Sequence, residues 1–250
     1  MKSVLKWCFF LLFTNVLTAG EINIAVAANV SYAIEDLKKV FHKSHPDTKV
    51  QVILGSSGKL TAQIRHGAPF GLLLSANMKY PSALYKEKMA LTKPVVYAEG
   101  MLAILSVKKR DYCAEIFVLK DPSIQKIAIA NPKTAPYGVA AKEALENAKL
   151  YKKLESKFVY GESISQTVTY ATMAADIGIV AKSSLFSPQM SMYKEAIHWT
   201  EVDESLYAPI EQGMVILKEA QGNAEVKAFY DFMLSDEAKV ILKKFGYKVK

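Results

Sequence analysis

Cysteine is almost missing from this 250-residue chain, which carries only Cys8 and Cys113. Cys8 stands inside the apolar stretch Cys8-Phe9-Phe10-Leu11-Leu12-Phe13. Without that stretch, Cys113 alone can form neither an internal disulfide nor a cysteine-rich zinc site. Histidine is equally scarce: His42, His45, His66 and His198 show no His-Glu-x-x-His spacing, so solvated surface positions are their ordinary reading. There is no Gly-x-Ser-x-Gly elbow for a serine hydrolase. The segment Gly55-Ser56-Ser57-Gly58-Lys59-Leu60 comes nearest to a nucleotide-binding loop. Such a loop needs four residues between its glycines and a Ser or Thr after the Lys to hold magnesium, and Leu60 occupies that last position. The chain is therefore not expected to be an enzyme, and no catalytic residue and no cofactor are assigned. Charge of one sign is not concentrated either. The 32 Lys and Arg against 24 Asp and Glu leave a formal charge of +8, but Lys is scattered and often stands beside Glu, as in Lys86-Glu87-Lys88. This pattern reads as a solvated surface with mild attraction for anions, and nucleic acid is not an expected partner.

What is present begins with an address. Lys2 and Lys6 flank the short apolar core, and Thr18-Ala19-Gly20 precede Glu21. This is the layout of a cleavable secretory signal over residues 1–20, cut near Gly20. The core is too short, and too broken by Thr14 and Asn15, for a membrane span, which leaves an uncleaved anchor as the weaker alternative. Cleavage removes Lys2 and Lys6 and takes the formal charge from +8 to +6. A soluble exported chain of roughly 230 residues remains, enough for one large domain or two lobes that each bury a core.

Ile22, Ile24 and Val26 alternate with Asn23 and Ala25, after which Ala33, Ile34, Leu37, Val40 and Phe41 recur at helical spacing until His45-Pro46. Val50, Val52 and Leu54 alternate again, a helix is predicted over 59–66, and Gly71-Leu72-Leu73-Leu74 reads as a buried strand. This β-α-β-α-β order is that of an open parallel sheet whose binding crevice lies at the carboxyl ends of the strands. Apolar runs at 101–107, 127–130 and 177–180, with helices predicted over 139–150 and 165–174, suggest a second sheet. A returning strand at 213–217 and one broken or two short helices over 223–245 complete the chain. The expected division is 21–100 with 210–250 as lobe one and 101–209 as lobe two, the two crossings forming a hinge.

Three short segments follow β-like runs and open helices: Ala27-Ala28-Asn29, Gly55-Ser56-Ser57-Gly58-Lys59 and Ala135-Pro136-Tyr137-Gly138. The first turn of a helix leaves N–H groups unpaired and carries partial positive charge, so several such turns facing one cleft make an anion site. Ser56 and Ser57 add hydroxyl donors, while Pro136 lacks a donor and leaves Tyr137 and Gly138 to expose theirs. Taken alone, each turn is better explained as an ordinary helix cap, which Ser favours for the same reason; the repetition is what points to a site. Lys59 is expected to point into solvent.

With Gly67-Ala68-Pro69, Leu74-Ser75-Ala76, residues 132–145, Gly178-Ile179-Val180 and Phe245-Gly246-Tyr247, these segments follow one another in an order and spacing that resembles the periplasmic molybdate-binding proteins of ABC transporters. The resemblance runs over 21–250 and implies an α/β fold: the two-lobed type II periplasmic-binding-protein architecture, with mixed sheets flanked by helices and a hinge between lobes. It implies a periplasmic, non-catalytic receptor that holds molybdate, and tungstate, between its lobes and delivers it to a permease in the inner membrane, working as a monomer. The implied oxyanion contacts are Ala28, Asn29 and Ser57, with Ser56 as the alternative to Ser57, from lobe one, and Tyr137 and Ile164 from lobe two. They act mostly through backbone N–H groups, touching the molybdate oxygens with no direct protein–metal ligand. The chain departs from the commonest pattern at Asn29, where many members have Ser, at Ala181, where some have a ligand-contacting Tyr, and at Gly71 and Asn77, where Asp is usual.

Two rivals stand beside this reading. One is a receptor for sulfate or phosphate on the same fold. Phosphate at neutral pH carries a proton and needs an acceptor, and Glu162 is the one acid near the candidate turns. The other is an exported phosphate-ester hydrolase, for which no nucleophile and base can be paired.

Overall fold

A computed structural model describes residues 20–249, so all of the expected signal segment except Gly20 lies outside the described residues. The chain opens with β1 (Glu21–Ala27), α1 (Ile34–Ser44), β2 (Lys49–Gly55), α2 (Ser57–Arg65), β3 (Leu72–Ser75), α3 (Lys79–Lys86) and β4 (Val95–Gly100). Next come β5 (Leu102–Leu105), β6 (Ile127–Ala130), α4 (Pro136–Asn147), α5 (Tyr151–Leu154), β7 (Phe158–Gly161), α6 (Ile164–Met173), β8 (Ile177–Ala181) and β9 (Trp199–Glu201). It closes with β10 (Ile210–Ile216), α7 (Ala224–Phe232) and α8 (Asp236–Lys244).

Two five-stranded sheets result, ordered β2-β1-β3-β10-β4 and β7-β6-β8-β5-β9. In the first, Ile24 of β1 stands opposite both Val52 of β2 and Leu72 of β3, all three strands parallel. The alternation in β1 divides its side chains between two cores. Ile22, Ile24 and Val26 pack with Leu37, Phe41 and Phe229 from α1 and α7, whereas Ala25 meets Leu60 and Ile64 of α2. A strand covered on both faces suits its near-continuous apolar sequence. α1 buries Ile34, Leu37 and Phe41 at helical spacing and ends where His45-Pro46 cannot continue it. Phe41 meets the edge of Phe229, ring centroids 5.0 Å apart at 77°.

The parallel opening was not the whole sheet. β10 runs antiparallel to both β3 and β4. The chain leaves the first sheet at Gly100 and re-enters beside it at Ile210, the two residues paired in register. A strand that starts at the boundary between the lobes must run away from it, against β1, β2 and β3, whose carboxyl ends point to that boundary. The second sheet repeats the arrangement: β6 is parallel to β7 and β8, and β5 is antiparallel to β8 and β9. The architecture is thus two lobes, each a mixed sheet flanked by helices.

Three helices begin earlier than their apolar periodicity indicates. α2 starts at Ser57 instead of Lys59, α4 at Pro136 instead of Val139, and α6 at Ile164 instead of Ser165. In each case the extra turn faces the other lobe, where helix-starting residues need not follow the period of a core face. Among the described residues no helix is long and apolar enough to cross a membrane.

Candidate functional site

The carboxyl ends of β1, β2, β6 and β7 each lead directly into a helical turn, and the four turns converge where the lobes meet. β1 runs into a 3-10 turn at Ala28–Tyr32, β2 into α2, β6 through a short loop into α4, and β7 into α6. They enclose a cavity of about 10 Å³ lined by Ala27, Ala28, Asn29, Ser56, Ser57, Ala76, Ala135, Pro136, Tyr137 and Ile164. All six residues singled out from the sequence, Ala28, Asn29, Ser56, Ser57, Tyr137 and Ile164, therefore meet in one place. The cavity gives about the room one water molecule needs, and it leaves no room for a carbon skeleton. Larger grooves exist among the described residues, including one of about 780 Å³ beside Tyr32, Phe186 and Lys244. The lobes touch at the cavity's edge, where the Gly58 N–H donates to the Thr134 carbonyl at 2.9 Å.

On the first lobe, Ser56 occupies the N-cap position of α2 yet makes no capping bond. Its Oγ is buried without a partner. The other Ser and Asn residues at α-helix N-caps do cap: Ser163, Asn223 and Ser235 accept from the N–H of Gln166, Val226 and Ala238. The cap reading that Ser56 invites thus fails here. Ser57 is fully buried, and its Oγ accepts from the Ala76 N–H at 2.9 Å, which leaves the hydroxyl hydrogen for a further partner. The Asn29 side chain offers a ligand no donor. Both Nδ2 hydrogens are taken, by Gln212 Oε1 and Tyr247 Oη at 2.8 Å each, and the free atom is Oδ1, an acceptor. Its carbonyl in turn accepts from Tyr247 Oη at 2.8 Å and from Ser183 Oγ of the second lobe at 3.1 Å. The side chain of Asn29 is therefore a brace, and its backbone N–H is what remains for a ligand.

On the second lobe, Pro136 is the first residue of α4 and brings no donor. The N–H groups of Gly138 and Val139 both turn back to the Ala135 carbonyl, at 2.9 and 3.1 Å, so Tyr137 alone offers its N–H from this turn and Gly138 does not. Gly138 serves packing instead: any Cβ there collides with the Ala130 carbonyl, and only glycine lets α4 close onto the end of β6. In α6, Ser163 takes the Gln166 N–H on its hydroxyl and the Thr167 N–H on its carbonyl, leaving the Ile164 N–H at the cavity. Burial pushes the Tyr137 hydroxyl well above the usual phenol value, reinforced by Tyr247, Tyr97 and Tyr207 nearby, while the Asn29 amide pulls the other way. The group stays protonated, and it has no partner within bonding geometry.

Ionised side chains are absent from the cavity lining. Lys59 does not stand free in solvent as expected: its Nζ lies 2.5 Å from Glu162 Oε1. Glu162 is thereby engaged at the rim and does not enter the cavity. No group of three or more His, Cys, Asp or Glu that could hold a metal ion occurs among the described residues. The departures from the family pattern have local explanations. Gly71 packs so tightly on Val226 and Ala220 that an Asp has no room. Asn77 accepts from Ser75 Oγ and the Tyr80 N–H, both at 3.4 Å, holding the loop before α3. Ala181 is fully buried at the end of β8.

Gln212, Tyr247, Ser183, Ala76 and Thr134 were missed from the sequence. Gln212 carried a usable signal, a polar residue inside the apolar strand 210–216 that is fully buried. Ala76 and Thr134 act through the backbone and carry none.

Residues 22–248 match the family described as bacterial extracellular solute-binding protein. The chain is 37% identical to the molybdate-binding protein ModA of Rhodobacter capsulatus over 231 residues, 92% of this chain and 88% of that protein. With the ModA of Azotobacter vinelandii it shares 35% identity over 233 residues, 92% and 90% of the respective chains. A solved structure of an Azotobacter vinelandii periplasmic molybdate-binding protein superimposes with a TM-score of 0.84 at 31% identity, covering 92% of this chain and 99% of that one.

Proposed function

We propose a function from the premise that this chain belongs to the family of bacterial extracellular solute-binding proteins: it is the molybdate receptor of an ABC transporter, closing its two lobes around the oxyanion. The lobes divide as 21–100 with 210–250 against 101–209. The anion is held by the N–H groups of Ala28, Asn29, Ser57, Tyr137 and Ile164 and by the hydroxyls of Ser56 and Ser57. Tungstate, of nearly the same size and charge, is held in the same way. The receptor works as a monomer in the periplasm, needs no cofactor, catalyses no reaction and hands its cargo to a permease in the inner membrane.

The observation that carries this reading is the Ser56 hydroxyl, buried at the head of a helix and left without the cap bond its position allows. A buried donor without a partner costs about 1–3 kcal/mol, so its place beside the other unclaimed donors is best explained by a ligand that meets them all. The cavity lining holds no carboxylate; its one unpartnered side-chain amide acceptor is the neutral Asn29 Oδ1, a weaker partner for the proton of phosphate than a carboxylate, which favours a fully deprotonated dianion. Native mass spectrometry of protein purified from medium containing equal molybdate, tungstate, sulfate and phosphate tests the reading. One bound molybdate or tungstate is expected; occupancy by sulfate or phosphate instead moves the receptor to another anion.

A further inference from the structure

The ion pair between Lys59 and Glu162 joins the two lobes, and neither residue lines the cavity. Lys59 follows Ser57 by two residues on α2, and Glu162 precedes Ile164 by two residues before α6. The pair therefore stands at the rim, directly outside donors contributed by opposite lobes. Beside it the Gly58 N–H crosses the same seam to the Thr134 carbonyl. Both charged side chains are about half exposed, 49% and 57%.

We propose that Lys59 and Glu162 form a charge gate over the anion site. The inference rests on the reading of the cavity as an oxyanion site and adds an order of events to it. With the lobes apart, the Lys59 ammonium is an unpaired cation on the lobe that presents the Ser56 and Ser57 hydroxyls, and it draws a dianion there. Glu162, on the opposite lobe, repels the same dianion and opposes closure. As the lobes meet, Lys59 turns to Glu162, the two charges cancel, and the rim becomes neutral above the bound ion. Release then requires the pair to part. The two residues touch no ligand; they position the lobes and set the rates of entry and exit. An exposed ion pair contributes little in free energy, so the expected signature is kinetic, a change of a few-fold in rates.

Stopped-flow fluorescence with molybdate, at low and at physiological ionic strength, separates entry from exit in the wild type, Lys59→Gln, Glu162→Gln and the exchanged pair Lys59→Glu with Glu162→Lys. Lys59→Gln is expected to slow association about three- to tenfold at low salt and to flatten its salt dependence. Glu162→Gln is expected to leave association as fast or faster while raising dissociation about two- to fivefold. The exchanged pair is expected to return dissociation to within about twofold of wild type while association stays slow, because a carboxylate now stands on the capturing lobe; a merely structural ion pair would leave association at the wild-type rate. A second readout needs no ligand. Exchange of the Gly58 amide hydrogen in the ligand-free protein reports how often the seam opens, and it is expected to quicken about two- to fivefold in each single variant and recover in the exchanged pair. If molybdate does not bind the wild type while the amide responds as described, the gate stands and the molybdate reading fails. If molybdate binds but dissociation, salt dependence and amide exchange are the same in all four proteins, the gate is overturned and the pair is an incidental surface contact.

Discussion

The two lobes bring different chemistry to one cavity. The first presents polar side chains sealed from water: Ser56 at 4% exposure, Ser57 and Asn29 at none. The second presents Pro136, Tyr137 and Ile164, whose polar groups at the cavity are backbone N–H and the unpartnered Tyr137 hydroxyl. Both lobes use one physical device, a helix N-terminus facing the cavity, but the first adds the Ser56 and Ser57 hydroxyls to its backbone N–H groups and the second does not. The difference has two consequences. A hydroxyl can be deleted by mutation and a backbone N–H cannot, so the lobes should answer unequally to point substitution. A hydroxyl is also visible in a sequence, whereas every residue but proline has an N–H.

The largest effect on that contrast is expected from Ser57→Ala. It removes a donor to the anion and leaves the Ala76 N–H without its acceptor, so affinity for molybdate should fall about ten- to a hundredfold, corresponding to about 1.5–3 kcal/mol. Ser56→Ala deletes a hydroxyl that satisfies nothing else in the protein, and a loss of about tenfold in affinity with no loss of stability is expected. Titration calorimetry and thermal melting of both variants check the pair; an Ser56→Ala protein that melts lower but binds as before would show the hydroxyl to be structural. A third test concerns the stability of the second lobe alone. The Asp176 carboxylate accepts from the N–H groups of Gln125 and Lys126, which hold its pKa below the ordinary carboxylate value of 3.8. A carboxyl depressed in the folded state stabilises above its unfolded pKa and loses that contribution as pH falls through the folded one. Asp176→Asn should therefore lower stability at neutral pH, by on the order of 1 kcal/mol after screening, and in thermal melts the gap to wild type should begin to narrow below about pH 4 and vanish only below the depressed folded pKa. The smallest effect belongs to Ile164→Val, whose N–H is untouched: binding is expected within about twofold of wild type.

The same contrast governs what could be read from the chain before its structure. Strong periodicity located β1, α1, β6 and the paired terminal helices within a residue or two. α3, β4, β7 and β9 carry no such pattern, for they are short, lie at sheet edges or, in α3, include Pro81, and went unseen. At the site, Ser56, Ser57 and Asn29 were legible by residue type. Tyr137 was located by the Pro136 turn, though Gly138 was wrongly credited with a free N–H. Ala28 and Ile164 have apolar side chains that advertise nothing: Ala28 was included only as part of the turn after β1, and only the resemblance to a known family pointed to Ile164. That the Asn29 side chain braces the lobe was not legible, because its two donors are taken by Gln212 and Tyr247, 183 and 218 residues away in the chain. Local sequence cannot reveal a competition between a ligand and partners that distant.

In the proposed receptor, neutral donors from both lobes enclose a tetrahedral dianion of one size. Competition calorimetry among molybdate, tungstate, sulfate and phosphate tests this most directly. A smaller ion leaves some buried donors overextended, and each unmet donor costs about 1–3 kcal/mol, so two or three of them separate the anions by several powers of ten. The expected result is one site per chain, molybdate and tungstate bound nearly equally, and sulfate and phosphate weaker by at least about a hundredfold. Sulfate or phosphate binding as tightly as molybdate would contradict the account and leave only the two-lobed receptor fold standing.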